Sequence, residues 1–369
     1  MTDIYNLAFA NIPGIGPAIA KAIMEVIPST EALFTESKRG LRAIFGNKTS
    51  IIDAILNRSM FDRCEKEIEF IRKYDINLYF FKDDDYPFKL KQIPDMPVCL
   101  FFQGNGNLNQ DRMIAIVGTR NSTQYGKDIT SDIVRELKLY NPRIVSGLAY
   151  GIDSYAHQRS LNENIPTFGV LGHGLDRIYP EQNFELAMQM REEGGLVTEY
   201  MSKTAIQGHN FPKRNRIIAG LCDAIICVEA AERGGALLTA DLANQYDREV
   251  FAVPGRIGDK FSEGCNKIIN HQKAHLLYSV SDIPKLLNWG NEQLDLFSPS
   301  KAKDYSQIIS NLSKNDKLVF EYILQNKEAN IDDILINTKL NQSVLAGCLL
   351  TMELEGLIEC LPGKTYKIN

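Results

Sequence analysis

The stretch MIAIVGTRNSTQYG (residues 113–126) decides the fold. An unbroken apolar run, Met113 to Val117, ends at Gly118, and a helical pattern begins a few residues later. Such a run has the signature of a strand buried on both faces, as in a parallel sheet. The same pattern recurs in RIVSGLAYGID (143–153) and TFGVLGHG (167–174). Outward from these, strands are expected at Met113–Thr119, Arg143–Leu148, Thr167–Leu171, Leu196–Tyr200, Ala224–Glu229 and Glu249–Val253, with helices between them. Residues 76–289 are therefore expected to form an extended Rossmann-like α/β domain with a mostly parallel sheet.

The flanks have different patterns. Residues 1–75 show apolar positions at helical spacing, and their ten acidic and ten basic residues cancel. Within them NIPGIGPAIAKAI (11–23) looks like a helix-hairpin-helix element whose Gly14-Ile15-Gly16 turn would expose amides. Residues 290–304 (GNEQLDLFSPSKAKD) are polar and interrupted by Pro299, which predicts a linker. Amphipathic segments at Lys314–Asn326, Ile331–Asn337 and Gln342–Leu354 come next. A hairpin pattern over Ile358–Ile368, turning at Pro362 and Gly363, predicts a winged helix at 305–369. That domain has eight acidic and six basic residues, and Gln342–Leu354 contains no Lys or Arg, so protein contact is the expected role.

With 369 residues and a net charge of -5, the chain has the composition of a soluble multidomain protein. No apolar stretch approaches the ~18 to 20 residues of a bilayer span, and Met1–Ala10 lacks a signal-peptide pattern. A cytoplasmic protein without membrane insertion is expected. The seven cysteines are scattered and form no CxxC pair, so they are expected to be reduced and mostly buried.

The glycine corners point to an anion. Gly118, Gly147, Gly151, Gly172, Gly174, Gly234 and Gly235 follow successive strands, which places them on one edge of a parallel sheet. Glycine there permits close backbone approach, and helix N-termini offer amides to an anion. Neither GxGxxG nor GxxxxGK[ST] occurs, so no nucleotide cofactor is expected. Arg120 stands just past the first corner, and HNFPKRNRIIAG (209–220) gathers Lys213, Arg214 and Arg216 behind Phe211 with no acidic residue. Cations at a helix start oppose the helix dipole, which an anion would relieve, and Phe211 offers a stacking face for a base.

Catalytic and metal chemistry find little support. His271 and His275 have the spacing of a shared helix face but no HExxH context, and Asp153 with His157 reads as helix-stabilising or pocket-shaping. A nucleotide phosphoribohydrolase would carry PGGxGTxxE, whereas ERGGALLTADLA (232–243) lacks the leading proline and the second glycine. No catalytic residue and no metal site are expected.

The order of motifs resembles the DNA-processing protein A (DprA/Smf) family. The resemblance runs through most of residues 76–280, from DDDYPFKLKQIPDMPVCLFFQGN (83–105) through AIVGTR, VSGLAYGIDSYAH, VLGHGLDRIYPEQN and FPKRNRIIAGLCDAIICVEAAERGGALLTA to REVFAVPG (248–255). It implies single-stranded DNA binding without catalysis, homodimerisation, and loading of RecA recombinase onto incoming DNA during natural transformation. It further implies a DNA site made of Gly118, Thr119, Arg120, Ser146, Gly147, Gly172, His173, Gly174, Phe211, Lys213, Arg214, Asn215, Arg216, Gly234 and Gly235. Two departures stand out: Gly234-Gly235 replaces the Ser-Gly of many relatives, and Glu181-Gln182 places no cation after Tyr179-Pro180.

Overall fold

The structure, a computed structural model, describes residues 2–289, 312–326, 328–354, 357–361 and 365–368. The expected linker at 290–304 and the turn at Pro362 and Gly363 lie outside these residues. The chain divides into two units, Met1–Glu292 and Gln293–Asn369.

The first unit is built on a nine-stranded sheet. Its strands are β1 (Asn77–Phe80), β2 (Cys99–Gln103), β3 (Met113–Val117), β4 (Arg143–Ser146), β5 (Thr167–Val170), β6 (Gly195–Thr198), β7 (Ala224–Cys227), β8 (Glu249–Ala252) and β9 (His275–Leu276). Their order is β1-β2-β6-β5-β4-β3-β7-β8-β9, parallel from β6 to β9, with β2 antiparallel to β6 and β1 antiparallel to β2. The six expected strands are present, each ending one or two residues early because the backbone turns away at its corner. The antiparallel β1–β2 pair and β9 were not expected: NLYF and CLFFQ are short aromatic-rich runs with no helical segment of crossover length between them to mark a parallel pair, and β9 is two residues long.

The central strands bury both faces, which is why they read as continuous apolar runs. One face packs on helices Gln124–Leu137 and Ile152–Asn162 through a cluster including Ile116, Ile133 and Phe251. The other packs on Asn210–Leu221 and Gly235–Gln245. That second core continues into the six helices between Thr2 and Lys73: Leu7, Phe9, Leu33, Leu41 and Ile55 share one cluster with Leu100, Phe101 and Phe102 of β2. Residues 1–75 thus fold as part of the first unit. A buried polar clamp reinforces the join. Glu67 on helix Phe61–Lys73 pairs with Arg63 at 2.8 Å and accepts from the Ser202 amide and hydroxyl at 2.8 and 2.6 Å.

The second unit is a winged helix. Helices Lys314–Asn326, Ile331–Thr338 and Gln342–Leu354 pack with strands β10 (Glu328–Asn330), β11 (Ile358–Leu361) and β12 (Thr365–Ile368), ordered β10-β12-β11 and antiparallel. Its core is its own: Val319, Phe320, Ile323, Ile334, Leu345, Met352 and Ile358. Strand β10 is a further surprise, because EAN has no strand pattern and pairs only through tertiary contact with β12.

Candidate functional site

Strand order reverses at β3, which has β4 on one side and β7 on the other. Open α/β sheets bind ligands outside the carboxyl ends of the strands at such a reversal. A cavity of about 390 Å³ opens there. Gly118 and Thr119 after β3 and Ala230 and Ala231 after β7 line it, together with the starts of helices Asn210–Leu221 and Gly235–Gln245.

Arg120 stands exposed at the rim, its guanidinium 5.9 Å from the centre of the Phe211 ring and in no ion pair among the described residues. Phe211 is half-buried and also faces Tyr179, with ring centres 5.8 Å apart. Asn215 lines the same cavity and donates to the Gly235 carbonyl at 3.4 Å. Gly234 caps its helix with no side-chain bond, and a Cβ at Gly235 would stand in open space. The loop carrying Arg120 is held from below. The Thr119 amide donates to the Glu229 carbonyl at 2.7 Å, and Ile152 N–H donates to the Thr119 carbonyl at 3.2 Å. Gly151 makes that possible: its φ is +81°, and a Cβ would fall 2.3 Å from the Thr119 carbonyl oxygen.

Arg214 has different surroundings from its neighbours. It is 4% exposed, and one guanidinium nitrogen donates to the carbonyls of Gly147, at 2.7 Å, and Val170. Asp153 supplies the opposing charge: a Cβ on Gly147 would lie 2.6 Å from the Arg214 guanidinium and 2.7 Å from the Asp153 carboxylate, so only glycine fits between them. Burial pulls Arg214 down to about 10, and Asp153 works against that shift. Burial likewise raises the Asp153 carboxyl, with Arg214 opposing. Arg214 therefore ties the ends of β4 and β5 to helix Asn210–Leu221 while lining the cavity together with Asp153.

The other predicted residues separate by position. Ser146 is wholly buried and donates to the Ile116 carbonyl at 2.6 Å, joining β4 to β3. Gly172 admits the Phe211 ring, from which an added Cβ would be 3.1 Å away. His173 is buried against the Gly174 carbonyl, and Gly174 packs on the backbone of Met201 and Ser202. These four support the cavity without lining it. Lys213 and Arg216 project elsewhere, into a second cavity of about 510 Å³ shared with Ile15 and Gly16 of the N-terminal hairpin turn. Arg216 pairs there with Glu199 at 2.5 Å, whereas Lys213 is exposed and unpaired among the described residues. The cluster of cations in FPKRNR is thus divided. Internal carboxylates answer two of the three, because Asp153 and Glu199 come from other parts of the chain.

On its far side Arg120 borders a polar hollow of about 910 Å³ that includes Lys127, Tyr150, Gln158 and Gln182. Tyr150 donates to the Gln182 side-chain oxygen. Sequence reasoning marks Gln182 as a missing cation and passes over Tyr150 and Lys127, although Tyr150 sits within the glycine corner VSGLAYGID. Leu148, two residues before Tyr150, has a φ of +55°, and beyond this left-handed turn Tyr150 stands exposed.

The histidines form no reactive set. His157 is buried against the Thr167 hydroxyl at 2.6 Å, and burial lowers it to about 3. His271 ends helix Glu263–Asn270, and His275 lies on β9 beside Glu249, so they do not share a helix face. Among the described residues no group of three or more His, Cys, Asp or Glu side chains is placed to hold a metal. No disulfide joins the cysteines, six of the seven are buried, and no described helix is long and apolar enough to cross a membrane.

Comparison with known proteins agrees with this architecture. The family model for DNA recombination-mediator protein A matches residues 77–288, and that for the DprA winged helix domain matches residues 301–364. DNA processing protein DprA of Bacillus subtilis is 41% identical over 213 residues, 58% of this chain and 71% of that protein. Protein Smf of Synechocystis is 31% identical over 98% of both chains. Among solved structures, DNA processing protein A of Streptococcus pneumoniae superposes with a TM-score of 0.67 at 31% identity, covering 76% of this chain and 97% of that one. DNA processing protein A from Helicobacter pylori, solved for its single-stranded DNA binding mode, superposes with a TM-score of 0.53 at 27% identity, covering 58% of this chain and 96% of that one. The two family models, the full-length relative and the shared fold together place the chain in the DprA/Smf family of DNA processing proteins.

Proposed function

We propose that this chain binds single-stranded DNA at the switch-point cavity, performs no chemistry on it, and passes it to RecA recombinase during transformation or recombination. The observation that carries the reading is the unpaired Arg120 guanidinium set over the Phe211 ring at the mouth of a cavity bounded by an uncapped helix start. A cation beside a flat ring is the pairing by which single strands are held without regard to sequence: the charge takes phosphate and the ring takes a base. The single-strand binding mode of the Helicobacter pylori relative supports it.

In this reading Arg120, Phe211 and Asn215 contact the strand, with the backbones of Gly118, Thr119, Gly234 and Gly235 leaving room for it. Lys213 extends the basic path toward the N-terminal hairpin. Arg214, Gly147, Gly172, Ser146, His173 and Gly174 hold the cavity in shape, and Arg216 braces the same helix through Glu199. A homodimer and the RecA contact are proposed on family membership.

The test is fluorescence anisotropy of labelled single- and double-stranded oligonucleotides across a salt series. Tighter single-strand binding is expected, with a linear log–log salt dependence of about 0.7 per phosphate contact. Equal affinity for both forms, or binding indifferent to salt, would rule the reading out.

A further inference from the structure

The motif REVFAVPG leads into a second cavity that the function above does not use. It measures about 870 Å³ and is enclosed by the start of helix Gln124–Leu137, the end of β7 and the loop from Pro254 to Ser262. It lies on the same sheet edge as the switch-point cavity. The two adjoin along both segments: Thr119 and Arg120 line the first and Thr123 the second, while Ala230 lines the first and Glu229 the second. Arg120 and Thr123 are three residues apart, at most ~11 Å of extended chain.

The base of the loop is rigidly held. Asn266 accepts from the Gly255 amide at 3.1 Å and donates to its carbonyl at 3.0 Å, and Tyr125 donates to the Pro254 carbonyl at 2.9 Å. The rim differs in its charges. Arg256 and Lys260 are exposed and join no carboxylate among the described residues, whereas nearby Lys267 and Lys273 are paired with Glu232 and Asp241. Ile257 at the tip is fully exposed, with no apolar surface over it. The walls carry two aromatic rings: Tyr125 is 46% exposed, and half-buried Phe261 has the Lys260 ammonium 5.7 Å from its centre. Two carboxylates face the same space. Glu229 is buried and accepts from both the amide and the hydroxyl of Thr123, so Asp259 is the acid that remains open to the two rim cations.

We infer that this cavity is a second nucleotide subsite for the strand held at Arg120, taking a base between Tyr125 and Phe261 and its phosphate on Arg256 and Lys260. The inference rests on the single-stranded DNA reading and extends it. Aromatic rings beside cations that join no carboxylate are the combination that stacks bases while neutralising phosphate, and the Lys260 ammonium over the Phe261 ring can give way to a base by turning to its phosphate. The apolar Ile257 at the tip gains a covering surface when a nucleotide lies over the loop.

The experiment compares labelled thymidine oligomers of about four and about sixteen nucleotides, the range that compact single-strand sites cover, on the full chain and on Arg256→Ala/Lys260→Ala. Both residues are exposed, so the double variant keeps its fold. The variant is expected to hold the short oligomer within about twofold of wild type and to flatten the salt slope of the long one by about 1.4, two phosphate contacts at about 0.7 each. Phe261→Ala, checked for folding by circular dichroism, is expected to weaken the long oligomer by at least about fivefold, the least that a lost base stack removes. An unchanged slope and affinity for the long oligomer, while Arg120→Ala loses binding, would overturn the subsite and leave the central reading intact. Absence of single-strand binding by the wild type would defeat that reading and the subsite with it.

Discussion

Arg120 and Arg214 both belong to motifs that read as phosphate ligands, yet their surroundings demand opposite outcomes on substitution. Arg214→Ala removes the donor shared by the Gly147 and Val170 carbonyls and strips buried Asp153 of its counter-charge. Breaking a buried charge pair by deleting one partner typically costs about 3 to 5 kcal/mol, a large share of the ~5 to 15 kcal/mol that holds a domain together. Arg120→Ala removes an exposed side chain whose one ring contact contributes about 0.5 to 1 kcal/mol to stability. Its loss on the binding side is a charge-assisted contact of about 1.5 to 3 kcal/mol, or roughly ten- to a hundredfold in affinity. The assay pairs urea unfolding, followed by the single tryptophan, Trp289, which is 8% exposed in the first unit, with oligonucleotide anisotropy at a temperature where both variants are folded. Arg214→Ala should unfold at markedly lower urea, and Arg120→Ala at nearly the wild-type midpoint with weakened binding. An Arg214→Ala protein as stable as wild type but unable to bind would refute the strut and make Arg214 a direct ligand.

Two further outcomes follow from buried polar groups. Glu67→Ala, which frees the Ser202 amide and hydroxyl, should cost about 2 to 4 kcal/mol, below the figure for a fully buried pair because Arg63 keeps 32% of its side-chain surface in water. Faster amide exchange across residues 200–209 should accompany it, and Glu67→Gln, which still accepts from Ser202, should lose less; equal exchange in all three proteins would mean the clamp does not order that loop. His157 gives a pH dependence: desolvation, with Arg214 adding to it, lowers it from 6.5 to about 3, so between those values the unfolded chain binds a proton that the native chain does not. Native stability is complete above about pH 6.5 and is lost by up to about 1.4 kcal/mol per unit as pH falls below it, with the raised Asp153 carboxyl opposing only in the carboxylate range. Urea midpoints read from Trp289 at about pH 7.5 and about pH 5.5 check this, and equal midpoints would contradict a neutral buried His157.

What the sequence by itself determined is whatever rests on local periodicity and local backbone demand. Apolar runs alternating with helical segments marked six parallel strands, and the glycine corners that follow several of them did converge on one edge. Helical spacing marked the N-terminal helices and the three of the winged helix. The motif order was enough to identify the family. Four strands were not legible: β1, β2, β9 and β10 are two to five residues long, lie outside the alternation of apolar run and helix, and exist because another segment offers its backbone. The same division runs through the site. Arg120, Phe211 and Asn215 could be picked out as residue types, but nothing local distinguishes Arg214 from Arg216 or Lys213. Tertiary structure decided that one is buried in the cavity wall on the Gly147 and Val170 carbonyls, one turns to Glu199, and one is exposed with no ion pair among the described residues. The reason is physical: a cation's role depends on which carboxylates and carbonyls the fold brings within reach, and those lie 17 residues away for Arg216 and 67 and 44 away for the two carbonyls on Arg214.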